Sequence, residues 1–416
     1  IAVTLKDEGE ESAYAGASPC VAIRGKTDLS VQNGTQRLPH RPVVCGLGPA
    51  GLFAALLLAR QGYKPIVLER GPALGERVKA VEHFSATGEL DVNANIQFGE
   101  GGAGTFSDGK LTTRVGDPLC GFVTDAFLKH GAPADIAWRQ KPHVGTDLLR
   151  GVITSIRTEI ENLGGEVHFN TALTGLQTSG GALCGITTTA GSILCDQLIL
   201  AVGHSARDTF AVLHTMGLPL ECKPFSVGFR AEHLQTEIEK SLYHGAAGNP
   251  ALPRGEYQLS QHVGQRCVYT FCMCPGGQVV ASASEKGCVV TNGMSYHARS
   301  GKNANAAVVV SVGGKDFGDD PRRAIAFQRE LEARAYAAGR SAGEYAAPAE
   351  NIQSFLEGRG QLNIGRVQPT YDRGVTAADL GCTAARGAGG YPAGGSARLL
   401  SLIHISEPTR RSYISY

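Results

Sequence analysis

The sequence predicts an α/β protein, with one domain built on a parallel sheet and an inserted domain that is mainly antiparallel β. Two observations support this prediction. Near residue 42 an apolar run, a glycine-rich turn, an apolar helical stretch and a second apolar run follow one another within the roughly thirty residues of a βαβ unit. Between about residues 221 and 316 the chain instead carries short β-patterned runs separated by turn residues.

The composition sets the broad class of the protein. The chain has 416 residues, 42% of them hydrophobic and 19% charged, which is enough apolar material for more than one domain. Its net charge of +1 gives no electrostatic reason to expect nucleic acid or an acidic membrane surface as a partner. We expect a small-molecule substrate, and the sequence does not indicate the oligomeric state.

The cysteines and the hydropathy pattern bear on location. The chain has 11 cysteines, an odd number scattered over its length, and begins with no signal-peptide pattern. Reduced thiols in the cytoplasm are therefore expected rather than a disulfide framework. No apolar stretch reaches the roughly 18 residues of a membrane span, so no membrane association is expected.

The predicted organisation has five parts. A polar, proline-bearing linker near residue 40 and the change of pattern near residue 221 set the main boundaries. Residues 400–410 read LSLIHISEPTR, which resembles the translation of a DNA-sequencing adapter. The parts are residues 1–40 (remnant of an N-terminal module and linker), 41–220 (Rossmann-type nucleotide domain), 221–345 (substrate domain), 346–380 (return to the nucleotide domain) and 381–416 (non-native tail).

The strongest motif is the turn after the first strand, residues 42–45. In such a turn Gly46 permits the tight bend, Gly48 lets the backbone approach a diphosphate, and Gly51 lets the following helix pack closely on the strand. Free N–H groups and the dipole at a helix start favour the negative charge of the diphosphate. The predicted binding positions in the turn are Gly46, Leu47, Gly48, Pro49, Ala50 and Gly51.

An acidic residue completes the motif. A second strand at residues 65–68 ends at Glu69, 18 residues beyond Gly51 and close to the spacing expected for a ribose-binding carboxylate. That carboxylate can accept both ribose hydroxyls and would repel a 2′-phosphate, which leaves FAD or NAD. Arg70, the next residue, is assigned to the same site. The alternative, a glycine-rich turn of no special function, fits the flanking strands, helix and Glu69 less well.

Two further elements are predicted between the motif and the second domain. Thr146 is predicted as the N-cap of a helix with apolar residues at helical spacing up to residue 163. Residues 197–203 are predicted as a buried strand that ends in a glycine-containing loop. Beyond the β-rich region, residues 321–338 are predicted to be helical.

Four blocks carry a family resemblance that extends over about residues 41–380. They are residues 46–52 (GLGPAGL), 98–111 (FGEGGAGTFSDGKL), 201–208 (AVGHSARD) and 271–277 (FCMCPGG). These blocks are similar to a large group of FAD-dependent dehydrogenases within the glutathione-reductase-type flavoproteins. The resemblance implies non-covalently bound FAD and oxidoreductase activity. It also implies that the strand ending at Ala201 and Gly203 passes near the adenosine side of the cofactor.

The glycine-dense block at residues 98–111 is predicted to be a loop laid against the cofactor. Its glycines could bring backbone N–H groups to the flavin phosphates or ring, and its polar side chains could donate to anionic oxygen. The alternative is a surface Ω-loop. The residues assigned to cofactor binding are Gly101, Gly102, Gly104, Thr105, Ser107 and Lys110.

Two clusters in the second domain are candidates for catalysis. Cys272 and Cys274 would face one side of a strand and could act as a redox dithiol, although packed thiols are the simpler interpretation because the usual motif is CxxC. His297 could move a proton while Arg299 holds a substrate carboxylate, and the alternative is a polar surface loop. The Cys and His spacings match no zinc site, so no metal is predicted.

Together these features predict a FAD-dependent oxidoreductase that exchanges electrons or hydride with a small molecule. Only one dinucleotide motif is found, so either the substrate reacts directly with the flavin or NAD(P)H docks as an external reductant without its own Rossmann unit. Two alternatives stay open: a flavin-binding regulatory or RNA-associated protein without turnover, and an NAD enzyme without flavin.

Overall fold

The computed structural model describes residues 10–17, 31, 34–113, 115, 117, 119–263 and 265–385. Most of the predicted N-terminal remnant and almost all of the predicted tail, including the adapter-like segment, lie outside these residues.

The described elements are fifteen strands and eleven α-helices. The strands are β1 Val43–Cys45, β2 Ile66–Leu68, β3 Glu166–His168, β4 Leu173–Ser179, β5 Ala182–Thr188, β6 Gly191–Leu194, β7 Leu198–Leu200, β8 Phe225–Leu234, β9 Ser260–Val263, β10 Arg266–Cys274, β11 Gln278–Ala281, β12 Thr291–Met294, β13 Asn303–Val312, β14 Ala347–Ala349 and β15 Val375–Ala377. The helices are α1 Glu11–Ala17, α2 Pro49–Arg60, α3 Leu74–Thr87, α4 Cys120–Lys129, α5 Thr146–Asn162, α6 Arg207–Thr215, α7 Gln235–Tyr243, α8 Gly314–Phe317, α9 Pro321–Gly339, α10 Ile352–Glu357 and α11 Leu380–Ala385.

The first domain is organised by a parallel sheet with strand order β3-β2-β1-β7. β1, α2 and β2 form the predicted βαβ unit, and both neighbours of β1 run parallel to it. Helices α2 and α5 cover one face, where Val44, Leu56 and Ile156 are fully buried in one core. Burial on both faces explains the continuous apolar run of β1.

In the chain, β3 is followed by a separate three-stranded antiparallel meander, β4-β5-β6, which precedes β7. It packs against the parallel sheet through a small core in which Ile186 and Val43 are fully buried. A turn at residues 179–181 joins β4 to β5, with Gly180 and Gly181 both at positive φ. The meander and the parallel sheet confirm the predicted Rossmann-type fold class.

The structure corrects two details of this domain. Thr146 is not the N-cap of α5 but its first residue; Gly145 is the cap, and the Thr146 hydroxyl donates to the carbonyl of Thr105 at 2.5 Å. The strand predicted at residues 197–203 is short and incompletely buried, since Ile199 and Leu200 are 38% and 40% exposed. β7 pairs only with β1 among the described strands, so one of its edges has no strand partner there.

The second domain is an antiparallel sheet with strand order β8-β13-β10-β9. Its predicted β runs lie inside β8, β10, β11 and β13. The register of β10 against β13 shifts between Phe271 and Cys274, which places an irregularity at the CxC sequence. Helix α9 confirms the predicted helical stretch and extends it by one residue, to Gly339.

The domains are joined by shared packing. Phe84 of α3 lies in one core with Val279 of β11 and Tyr345. Parallel strands β14 and β15 pack beside α9 and complete this region. Among the described helices none combines the length and apolar character of a membrane span.

Candidate functional site

The turn between β1 and α2 has two glycines that the packing requires. Gly46 has φ +102°, and a Cβ at this position would lie 2.3 Å from the carbonyl oxygen of Ala201. A Cβ on Gly51 would lie 1.8 Å from the carbonyl oxygen of Gly46. These close approaches hold the start of α2 against the ends of β1 and β7, as predicted for the first and third glycines of the motif.

The middle of the turn is open. A Cβ on Gly48 would meet nothing nearer than the Cα of Gly102, at 3.8 Å, and Pro49 and Ala50 are exposed. Two surface depressions of about 440 and 470 Å³ are lined by residues outside this turn. Pro49 has no N–H, and the N–H groups of Ala50 and Gly51 that follow it have no intrahelical acceptor at the helix start. The turn therefore offers unpaired donors at an accessible helix start, which suits a diphosphate.

Glu69 lies at the end of β2 beside this turn and is 4% exposed. Its carboxylate accepts hydrogen bonds from the backbone N–H groups of Leu47 at 2.8 Å, Gly71 at 3.0 Å and Gly99 at 3.1 Å. A carboxylate has about four acceptor positions, so about one remains for a ligand hydroxyl. Ribose binding by Glu69 stays a prediction. In the structure the Glu69 carboxylate links three backbone segments by hydrogen bonds.

Arg70 points to other partners. Its guanidinium forms a bidentate pair with the Asp208 carboxylate, with hydrogen bonds of 3.0 and 2.7 Å, and lies 4.4 Å from the ring centroid of Phe98. Asp208 belongs to the 201–208 block, so Arg70 ties that block to the start of the glycine-dense loop. Its assignment to the cofactor also stays a prediction.

The glycine-dense loop lies directly on the turn. The Gly101 N–H donates to the carbonyl of Leu47 at 2.8 Å, and a Cβ on Gly102 would lie 3.0 Å from the Cα of Gly48. A Cβ on Gly104 would lie 3.7 Å from the Pro49 ring. The sequence predicted that this loop lies against the cofactor; the structure places it against the turn after β1, and its contact with a cofactor stays a prediction.

The polar groups predicted to donate to the cofactor have partners within the protein. The Gly102 N–H donates to the carbonyl of Gly99 at 3.0 Å, and the hydroxyls of Thr105 and Ser107 donate to the carbonyls of Glu100 at 3.3 Å and Gly104 at 2.7 Å. Lys110 is engaged by the second domain, as described below. These groups stabilise the loop, and contact with a ligand would have to compete with those bonds.

Arg77 of α3 holds the loop in place, and sequence reasoning missed it. It is 0% exposed, its guanidinium donates to backbone carbonyls of the loop, and it lies 4.8 Å from the ring centroid of Phe106. Burial lowers the pKa of Arg77 to about 9 despite nearby Glu69 and Glu100. No pattern in the sequence marks this arginine among the charged residues of α3. The acceptors are Asn95 at 3.0 Å, Ile96 at 2.9 Å, Gly99 at 3.4 Å and Glu100 at 2.6 Å.

The segment after β7 closes the other side of the turn. The Ala201 N–H donates to the carbonyl of Cys45 at 2.8 Å, which extends the pairing of β7 with β1. Gly203 has φ +78°, and a Cβ there would meet no atom within 4 Å. Both residues lie at the carboxyl end of the sheet, where ligands of such folds bind.

The far end of the loop enters the second domain through Asp108 and Lys110. Asp108 is 0% exposed and accepts hydrogen bonds from Ser295 and Arg299, while the Lys110 ammonium lies 2.9 Å from its carboxylate. Burial alone would raise the pKa of Asp108, but Lys110 and Arg299 outweigh it and hold the pKa at about 2. Arg299 is therefore engaged by a buried carboxylate of this chain. Its predicted role as a carboxylate binder for substrate stays a prediction.

The two cysteines lie next to this ion cluster. Lys110 donates to the carbonyl of Met273, between Cys272 and Cys274, and the Cys274 thiol lies 3.5 Å from the Cys272 carbonyl oxygen. A hydrogen bond from Cys274, together with Lys110 and Arg230, lowers the pKa of Cys272 to about 6 against the effect of burial. The hydrogen bond with Cys272 and burial raise the pKa of Cys274.

His297 stacks on a second histidine that sequence reasoning did not single out. The rings of His297 and His143 have centroids 5.2 Å apart, and Nδ1 of His297 lies 3.1 Å from the carbonyl oxygen of Val144. His143 is 5% exposed, and its Nδ1 has no hydrogen-bond partner. Burial and the charge of Arg299 lower the pKa of His143. Ser295 and Arg299 are 2% and 8% exposed, whereas Tyr296 between them is 53% exposed, so the segment is partly buried and the alternative of a polar surface loop stays open.

One group of potential metal ligands occurs among the described residues. Ligand atoms of Glu285, Cys288 and Glu332 lie within 4.8 Å of one another. Arg207 pairs with both carboxylates, at 2.9 and 2.5 Å, and Arg329 pairs with Glu285 at 2.6 Å. The carboxylates are thus neutralised by arginines, which makes the group an ion-pair network.

Comparison with known proteins finds one relative of similar sequence and several solved structures of low sequence identity. An uncharacterised protein of Clostridium beijerinckii is 48% identical over 354 residues, which is 84% of this chain and 66% of that protein. The chain therefore spans slightly less than two thirds of the length of this relative. Among solved structures, NikD, an amino acid oxidase of nikkomycin biosynthesis, is 14% identical over 66% of this chain and 70% of its own, with a TM-score of 0.31. THI4 of Thermovibrio ammonificans is 16% identical over 43% of this chain and 63% of its own, with a TM-score of 0.28.

The family match lies in the second half of the chain. Residues 224–385 match the family described as FAD-dependent protein, C-terminal domain-like. This stretch begins just before β8 and ends with α11, so it contains the antiparallel sheet and both cysteines of the ion cluster. Over these residues the chain is similar to the C-terminal domain of FAD-dependent proteins.

Proposed function

We propose that this protein is a FAD-dependent oxidoreductase in which a small-molecule substrate exchanges electrons or hydride with non-covalently bound FAD. The observation that carries the proposal is the open turn at Gly48, bounded by two glycines that the packing requires. The family match over residues 224–385 supports FAD rather than NAD as the nucleotide. Bound FAD would supply the two-electron chemistry that side chains lack.

The residues that would hold FAD follow from the site. The unpaired N–H groups of Ala50 and Gly51 at the start of α2 suit the diphosphate, and Gly48 leaves the space for its approach. The remaining acceptor position of Glu69 suits a ribose hydroxyl, and the segment of Ala201 and Gly203 borders the same edge of the sheet.

The second domain would contribute the substrate side of the site. Lys110, His143, His297, Arg299 and Cys272 lie together at the far end of the loop that begins on the nucleotide turn. In this proposal the cations orient an anionic substrate group and a histidine moves a proton. NAD(P)H as an external reductant belongs to the same proposal, because it would need no second Rossmann unit.

The test is to purify the chain, release any nucleotide by denaturation and identify it, and to measure FAD affinity by quenching of flavin fluorescence. Gly48→Ala is the informative variant: the space is free and φ is −73°, so the fold should persist while the methyl group blocks the diphosphate. We expect FAD affinity to fall at least about tenfold, or about 1.4 kcal/mol. Gly151→Ala, also in open space but on α5, is the matched control and should bind FAD normally.

The outcomes separate the proposal from its alternatives. NAD in place of FAD in the denatured extract would favour an enzyme without flavin. FAD binding with no reduction by any metabolite or NAD(P)H would favour a flavin-binding protein without turnover. Unchanged FAD affinity in Gly48→Ala would contradict the assignment of the turn.

A further inference from the structure

Cys272 and Cys274 stand at an irregularity of β10. The strand loses register with β13 between Phe271 and Cys274, and Cys272 has φ +48°, which is uncommon for a residue with a side chain. In a regular strand, Cα atoms two residues apart are about 6.6 Å apart, near the upper limit for a disulfide. Because a bulge bends the strand locally, it can bring these two positions closer together.

The thiols of Cys272 and Cys274 differ in their burial and in the charged groups near them. Cys274 is fully buried, whereas Cys272 is only half-buried. Arg230 lies 3.3 Å from the Cys272 carbonyl oxygen, and Lys110 donates to the neighbouring carbonyl of Met273. Positive charge near a thiol stabilises its thiolate, and a hydrogen bond from Cys274 together with Lys110 and Arg230 lowers the pKa of Cys272 to about 6.

We propose that Cys272 and Cys274 form a peroxide-reactive dithiol, in which Cys272 attacks a hydroperoxide and Cys274 then closes a disulfide. The thiolate sulfur of Cys272 forms a bond to the terminal oxygen of the hydroperoxide as the O–O bond breaks. The alcohol or water leaves after taking a proton from solvent, and Cys272 becomes a sulfenic acid. The sulfur of Cys274 then attacks that of Cys272, the S–O bond breaks, and the thiol proton leaves with hydroxide as water.

The surroundings select this substrate class. A half-buried thiolate admits a small electrophile, and a fully buried thiol can react only with the sulfur beside it. Lys110 and Arg230 can stabilise the negative charge that develops on the leaving oxygen. Two electrons pass from the cysteine pair to the peroxide, so the reaction needs no flavin. The inference shares Cys272 and Lys110 with the proposed substrate side, but it requires no bound FAD and can hold or fail separately.

The test uses the purified full chain, reduced, desalted and treated with one equivalent of hydrogen peroxide. Remaining thiols are alkylated with iodoacetamide, and the tryptic peptide of residues 267–286 is analysed by mass spectrometry. This peptide also contains Cys267, so the experiment is carried out in a Cys267→Ser background. We expect the peptide to carry no alkyl group and to be lighter than the reduced peptide by two hydrogen atoms. Full alkylation at both positions after peroxide treatment would overturn the proposal.

Single variants assign the two roles. In Cys274→Ser the sulfenic acid should persist and be trapped by dimedone at Cys272, whereas Cys272→Ser should give neither a disulfide nor trapping at Cys274. Lys110→Met should raise the pH midpoint for alkylation of Cys272 and slow its oxidation near neutral pH severalfold, while exposed Lys129→Met should change neither. Equal dimedone labelling of Cys120 and Cys272 in Cys274→Ser would show unselective oxidation and refute the assignment.

Discussion

The guanidinium of Arg77 lies 2.6 Å from the backbone carbonyl oxygen of Glu100, and through this and similar bonds α3 holds the glycine-dense loop against the nucleotide turn. The loop is rich in glycine, whose backbone has more conformational freedom than that of other residues. A buried cation surrounded by carbonyl oxygens adds a restraint to the hydrogen bonds that the loop makes within itself.

Replacing Arg77 with methionine should lower the free energy of unfolding by about 3 kcal/mol, because several carbonyls lose a charged donor in a buried site. The measurement is equilibrium urea denaturation. Lys79→Met is the matched control, since Lys79 lies on the same helix with 72% of its side chain exposed, and should change stability by less than about 0.5 kcal/mol. Equal effects of the two substitutions would show that Arg77 does not anchor the loop.

The parts of the site that sequence reasoning located are those encoded by neighbouring residues. The packing roles of Gly46 and Gly51 could be predicted because the end of β1, the turn and the start of α2 are adjacent in sequence, although the Ala201 carbonyl that Gly46 approaches is not. Arg77 could not be found this way, because its acceptors are backbone carbonyls about twenty residues further along the chain. Backbone acceptors leave no signature in the side-chain sequence.

The ion cluster illustrates the same limit over a longer range. The sequence singled out Cys272, His297 and Arg299 as chemically capable residues, and the structure brings them near one another. Nothing in the sequence indicated that Asp108 binds Arg299. The two residues lie 191 positions apart, and their contact depends on how the domains pack. The burial of the Asp108 carboxylate and its pairing with Arg299 can therefore be identified only from the folded structure.

Gly51→Ala should destabilise the protein severely, because its Cβ would lie 1.8 Å from the Gly46 carbonyl oxygen and α2 would have to move away from the sheet. We expect a loss of about 3 kcal/mol or more in the free energy of unfolding. Thermal denaturation followed by circular dichroism measures this loss in the absence of any nucleotide.

The control for this prediction is the Gly151→Ala variant. Gly151 lies in α5 with no atom near its missing Cβ, so alanine should leave stability unchanged or raise it by about 0.5 to 1 kcal/mol. A Gly51→Ala variant as stable as Gly151→Ala would mean that the close packing of α2 on the turn is wrong.

His233 of β8 should make stability depend on pH, because burial lowers its pKa to about 4 and Tyr257 lies 2.9 Å from its Nε2. An unfolded histidine titrates near 6.5, so between about pH 6.5 and 4 the unfolded chain takes up a proton that the folded chain refuses. The stabilisation that comes from keeping His233 neutral in the fold is fully present above about pH 6.5. It is lost as the pH falls toward 4, which lowers the free energy of unfolding by about 3 kcal/mol in total. His233→Gln, which keeps an acceptor for Tyr257 but cannot titrate, should remove this part of the slope in urea denaturation across that range. A His233→Gln slope equal to that of the unmodified protein would show that folding does not lower the pKa of His233.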